Sequence, residues 1–273
     1  MLQVRQPAVA GAFYPAQRQQ LSNDVLAMLA AARSNIVMPD DVPIPKAIIV
    51  PHAGYVYSGS TAALAYARLS AGRKSIRRVV LLGPVHRVPV RGLALPGVNC
   101  FATPLGQIEI DQPAIAAITP LRQVVVSPAA HALEHSLEVQ LPFLQSVLDD
   151  FKLVPLAVGD ATPAEVAQVL EVLWGGPETL IVISSDLSHF LPYQTAQAMD
   201  QATVQSILAL DTQVTHDRAC GGTPINGLLL AARRHHLQPH LLGLCNSGDT
   251  AGDPGRVVGY ASLSFTQGDH DEH

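Results

Sequence analysis

The chain has 273 residues, 48% of them hydrophobic and 14% charged, enough to fill a sizeable core and too apolar for an intrinsically disordered chain. Seventeen Lys and Arg against 22 Asp and Glu give a net charge of −5, which leaves no basic footprint for nucleic acid. No apolar run approaches the length of a membrane span, and the opening Met1-Leu2-Gln3-Val4-Arg5-Gln6-Pro7 lacks the apolar core of a signal peptide, so a cytoplasmic address is expected.

In chain order, residues 9–15 are small and aromatic without a clear period. Residues 17–32 predict a helix with Leu21, Val25, Met28 and Leu29 on one stripe. A short linker at 39–45 precedes an apolar strand at 46–50. That strand breaks at Pro51-His52-Ala53-Gly54-Tyr55-Val56-Tyr57-Ser58-Gly59, and a helix follows from Ser60. A second buried strand at 78–82 ends in Gly83-Pro84-Val85-His86. Segments 91–95 and 107–110 read as further strands, with 101–106 as a loop between them, 112–118 as a short helix and 123–126 as a strand.

Residues 130–140 run into a predicted helix striped by Leu137, Leu141, Leu144 and Leu148. His131, Glu134, His135 and Glu138 would share a neighbouring face and need polar partners there. A strand at 152–158 and a helix at 163–173 lead to the clearest strand, 178–183, which ends in Ser184-Ser185-Asp186-Leu187-Ser188-His189. Helices at 193–210 and 223–234 follow, the second after Cys220-Gly221-Gly222. Strands at 239–244 and 256–265 close the chain, the first ending in Cys245-Asn246-Ser247-Gly248-Asp249.

Strands alternate with helices, and the central strands are apolar throughout. That pattern predicts a single α/β domain over 1–266, with a mostly parallel central sheet and helices on both faces, followed by a flexible tail at 267–273.

In such a sheet the loops past the carboxyl ends of the strands share one edge, where ligands bind. His52, His86, Asp186 with His189, and Cys245 all lie just past strand ends. Together they are nearly a full ligand set for a first-row transition metal. Each has a plainer reading. A lone histidine after a strand usually packs or caps, Asp186 reads equally well as a helix cap, and Cys245 as a buried thiol. Cys100 and Cys220 are left to that plainer reading. With three cysteines and no CxxC pair, neither a disulfide framework nor a zinc knuckle is expected. His135 and Glu138 read equally as an ion pair on a helix face or as site residues. No phosphate-binding glycine loop and no nucleophile elbow occurs, although Ser184 and Ser185 keep a metal-free hydrolase open as a minor reading.

The phrases 51–59, 83–86, 134–142 and 184–189, with Ala8-Val9-Ala10-Gly11-Ala12-Phe13-Tyr14-Pro15, resemble the Memo family, also called AmmeMemoRadiSam system protein B. The resemblance spans roughly residues 6–265. It implies a fold similar to class III extradiol (LigB-like) non-haem iron dioxygenases. It also implies a metal held by His52, His86 and Cys245, with His189 beside it as acid and base. Cys245 stands where the dioxygenases carry a glutamate, with Asp249 as a lesser carboxylate alternative. Asp186 and the pair His135 and Glu138 would orient ligands, and Tyr55 and Tyr57 would line the pocket. Fe(II) is the expected metal, with copper possible and zinc open. The resemblance further implies a small-molecule or peptide ligand and an association with AMMECR-type and radical SAM proteins. Two readings result: a non-haem-iron or copper oxidoreductase, or a non-catalytic member that sequesters metal or binds a peptide or protein in the cleft.

Overall fold

A computed structural model describes residues 3–35 and 43–268, so 39–42 of the expected linker and 269–273 of the expected tail lie outside the described residues. The elements, in chain order, are β1 (Val4–Arg5), α1 (Arg18–Asn35), β2 (Ala47–Val50), α2 (Tyr55–Ala67), β3 (Arg78–Pro84), β4 (Leu93–Leu95), β5 (Cys100–Thr103) and β6 (Gly106–Glu109). Then come α3 (Gln112–Ile118), β7 (Val124–Val126), α4 (Pro128–Ala132), α5 (Leu141–Val147), β8 (Lys152–Val158) and α6 (Pro163–Leu173). The last are β9 (Thr179–Ser184), β10 (His189–Leu191), α7 (Tyr193–Leu208), α8 (Gly222–Arg234), β11 (Leu237–Asn246) and β12 (Val257–Gln267).

Among the described residues, a nine-stranded sheet has the order β10-β12-β2-β9-β3-β8-β4-β7, with β11 also on β12. Its centre, β2-β9-β3-β8, is parallel. Its flanks are not: β12 runs antiparallel to β2, β10 and β11, and β4 antiparallel to β8. The expected parallel sheet is thus the core of a mixed one. Side chains of the central strands alternate between two cores. Ile48, Val79, Leu81 and Val182 face one, with Leu21, Val25 and Tyr66 of α1 and α2 packed there. Ile49, Val80, Leu82 and Ile183 face the other, with Val166, Leu170, Ile225 and Leu229 of α6 and α8. A small sheet, β1-β5-β6, carries the N-terminal segment.

Local chemistry explains several boundaries. Thr162 and Glu165 form a reciprocal capping box, and a proline lies in the first turn of α6. Segment 101–106 is not a loop. Thr103 pairs with Gly106, so β5 and β6 form a hairpin with Pro104-Leu105 at its tip. The continuous helix expected from the leucine stripe is also corrected. Residues 138–140 form a single 3-10 turn, and α5 starts only at Leu141, with Pro142 in its first turn. Proline has no N–H to give to a preceding helical turn, so it opens a helix rather than sitting inside one. The strand β12 runs through Gln267, one residue into the expected tail. Among the described residues no helix is long and apolar enough to cross a membrane.

Candidate metal centre

The parallel strands β2, β9 and β3 are neighbours, so their carboxyl ends deliver His52, Asp186 and His86 to one edge of the sheet. The imidazole rings of His52 and His86 lie 5.3 Å apart. A third ring, His135, stands 5.4 Å from His52 and 4.6 Å from His86. It comes from the loop between α4 and the 3-10 turn. Asp186 is buried and does not cap a helix. Its Oδ1 accepts the His52 backbone N–H at 2.7 Å, fixing the turn that presents the ring. The chain after Asp186 continues into β10, and Pro192, not Asp186, precedes α7.

The thiol beside the two imidazoles is Cys220. Its Sγ is 3.4 Å from His52 Nε2. His52, His86 and Cys220 each offer one ligand atom, all within 4.8 Å of one another. Cys245, the expected thiolate, belongs to no such group among the described residues. Its Sγ lies 3.0 Å from Thr61 Oγ1. The reason is lateral placement. The strand β11 is separated from β2 by β12, which puts the Cys245 backbone two strand spacings, about 10 Å, from the line of β2. Cys220 instead arrives from the loop before α8, directly over the end of β9, where the Gly221 N–H donates to Ser185 Oγ at 2.9 Å. A Cβ at Gly221 would stand 2.7 Å from Ser185 Cβ and 3.1 Å from the Ser184 carbonyl. Only glycine lets this loop come so close.

The supporting shell differs from expectation too. Glu134, which the sequence reading leaves without a role, is 2% exposed and holds His86 twice. Its Oε2 accepts the His86 backbone N–H at 2.6 Å, and its Oε1 lies 2.9 Å from His86 Nδ1. A carboxylate only accepts, so Nδ1 is the donor in this pair and Nε2 is the nitrogen left to face a metal ion. Glu134 also takes the N–H groups of His135 and Ser136, each at 2.9 Å. Hydrogen bonds to His86 and Ser136 hold its carboxyl down at about 2 against the opposing effect of burial. The set His86, Glu134 and His135 is also compact enough for an ion, but these hydrogen bonds already account for it.

Glu138 does not pair with His135. Its carboxylate meets Arg5, the N–H groups of Ala8 and Val9 at 2.8 and 3.0 Å, and the Tyr14 hydroxyl at 2.5 Å. It pins the N-terminal segment rather than the centre. Tyr55 is a core residue whose hydroxyl donates to the Val139 carbonyl, while Tyr57 stays exposed on the first turn of α2. Asp249 is exposed and bonds to Tyr193 and the Asn246 N–H. His189 donates Nδ1–H to the Leu187 carbonyl at 2.8 Å, which leaves its Nε2 free. Ser184 and Ser185 are buried and give their hydroxyl protons to the carbonyls of Ser136 and Asp186, so neither is a poised nucleophile.

Burial pushes the His52 pKa well down, helped by the neighbouring imidazoles His135 and His86. Burial, with the Asp186 charge added, pushes the Cys220 thiol up to about 12. The donor set fits a first-row transition ion: two neutral imidazoles and a thiol that a cation would deprotonate. The family model described as "Memo-like protein" matches residues 5–264. A MEMO1 family protein of Aquifex aeolicus is 36% identical over 97% of this chain and 100% of its own length. One from Sulfolobus acidocaldarius and one from Archaeoglobus fulgidus are each 34% identical, covering 96% of this chain and 99% of theirs. The crystal structure of an uncharacterized protein, JW3007, from Escherichia coli K12 is a looser match: 14% identity and TM-score 0.48, over 80% of this chain and 98% of that one. It is too distant to carry an argument.

Proposed function

The chain belongs to the Memo family, and from that premise we propose that it is a metal-binding oxidoreductase of the non-haem iron kind, with His52, His86 and Cys220 as ligands. One observation carries this reading: one ligand atom from each of two imidazoles and a thiol, on three distant segments, lies within 4.8 Å of the other two. Fe(II) suits the mixed nitrogen and sulfur set, copper is the nearest competitor, and zinc has the same donors to choose from. Bound there, a redox-active ion would supply Lewis acidity and open coordination positions. The chain's own residues do the rest. Glu134 orients His86, Asp186 fixes the turn that carries His52, and the free Nε2 of His189 takes or gives a proton.

The substrate is a small organic molecule or a peptide. A groove of about 600 Å³ is lined by Phe13, Tyr14, Met28, Tyr55 and Val56. The Phe13 ring lies 4.7 Å from that of His135. A cytoplasmic protein associated with AMMECR-type and radical SAM partners fits this reading. The test is metal analysis after anaerobic purification, with wild type beside His52→Ala and Cys220→Ala, followed by oxygen uptake of the loaded protein. Wild type without stoichiometric metal would sink the proposal.

A second reading has an observation of its own. The anionic position is a thiol rather than a carboxylate, and thiolates favour Cu(I). Tight Cu(I) binding that depends on Cys220, with no oxygen uptake, would make the protein a metal-sequestering member of the family instead.

A further inference from the structure

We infer that Ser184 is a positioning residue for the centre: a one-way chain of hydrogen bonds through its hydroxyl locks His52 as the Nδ1–H tautomer and keeps the Nε2 lone pair free for a metal ion. The inference rests on the reading of His52 as a ligand.

An imidazole can carry its proton on either nitrogen, and the partner of one nitrogen decides the state of the other. His52 is 1% exposed, so bulk water does not supply that partner. Its Nδ1 lies 2.9 Å from Ser184 Oγ. A hydroxyl has one proton to give. Ser184 Oγ is 2.6 Å from the Ser136 carbonyl, which only accepts, so the proton is committed there. Gln140 Nε2 donates to the same Oγ at 2.8 Å. The Gln140 amide cannot be turned round, because that nitrogen also donates to the Pro51 carbonyl at 2.9 Å. At the other end of the amide, Oε1 accepts the Tyr66 hydroxyl at 2.9 Å. What Ser184 has left for His52 is a lone pair, so His52 Nδ1 must bring the proton. In the neutral ring Nε2, which lies 3.4 Å from Cys220 Sγ, is therefore unprotonated.

Tyr66, Gln140 and Ser184 are buried, and their donors point one way along the chain. The two imidazoles thus reach the same tautomer by different means. Exposed His86 is held by the Glu134 carboxylate, and buried His52 by a neutral relay. His52 is accordingly the less polarised of the two donors.

The experiment is nitrogen NMR on metal-free protein with ¹⁵N-labelled histidine, in which two-bond couplings identify the protonated ring nitrogen, beside Zn(II) affinity by competition. Wild type is expected to show His52 as Nδ1–H. In Ser184→Ala the Nε2–H form should appear and Zn(II) affinity fall about 10- to 100-fold, with the His86 signals unchanged as the check on folding. Wild-type His52 found as Nε2–H overturns the inference without any variant. So does a Ser184→Ala protein that keeps both the Nδ1–H form and the wild-type affinity. Wild type that is Nδ1–H yet binds no Zn(II) overturns the ligand reading and leaves the tautomer lock standing.

Discussion

Cys220 Sγ stands 3.4 Å from His52 Nε2 across 168 residues of sequence. Cys245 is bonded to Thr61 instead. If the first contact marks the ligand, the two cysteines separate cleanly. Cys220→Ser should lower the metal content of anaerobically purified protein at least about tenfold, the expected order for losing a first-row ligand or its support. Cys245→Ser should retain it. Equal loss in both, measured by elemental analysis, would refute the assignment.

Glu134→Gln tests the support of His86. Glu134 accepts four N–H groups, from His86 twice, His135 and Ser136. An amide presents an NH₂ to some of these donors and leaves them unpaired, at about 1–3 kcal/mol. Metal affinity should drop about 10- to 100-fold, together with a lower melting temperature. Competition titration and a melting curve check both parts.

The buried pair of Arg5 and Glu138 gives a stability prediction. Arg5 also donates to the carbonyls of His131 and Glu134, at 3.0 and 2.7 Å. Arg5→Met should cost about 3–5 kcal/mol by leaving an unpaired buried carboxylate. The double change Arg5→Met with Glu138→Leu should cost clearly less than the two single costs added together. Urea unfolding of the four proteins decides it, and simple additivity would count against the pairing.

His131 predicts a pH dependence. It is 2% exposed, and burial holds its pKa at about 4 even though its Nε2 donates to the Ala94 carbonyl at 2.7 Å. An unfolded histidine takes its proton near 6.5. Between those values the unfolded state binds more protons, so stability is full above about 6.5 and falls as the pH drops towards 4. The contribution is about 3 kcal/mol in all. His131→Asn should flatten this part of the curve relative to wild type. Parallel curves for the two proteins would exclude His131 as the cause.

If a metal ion binds only the folded state, free ion at about a hundred times its dissociation constant should add about 2.7 kcal/mol. Melting curves with and without a chelator read this directly. Cys220→Ala, with affinity about tenfold lower, should gain only about half as much at the same ion concentration, about 1.4 kcal/mol.

The sequence alone settled which residues form the parallel core. The apolar runs at 46–50, 78–82, 152–158 and 178–183 have the length and composition of strands buried on both faces, and each is a central strand. It also placed His52, His86 and Asp186 on one edge, because a residue just past a parallel strand has nowhere else to go. Which thiol joins them was decided by tertiary structure. Cys245 sits at the end of a strand on the same sheet, yet β12 holds it two spacings away. Cys220 sits in a loop whose path is set by Gly221 packing against Ser185. The role of Glu134 was equally out of reach. Pro142 delays the helix to Leu141, which frees residues 133–137 from helical periodicity, and only the folded path turns that carboxylate onto His86. Local pattern fixes strand ends. The approach of one loop to another depends on packing between segments that share no sequence period.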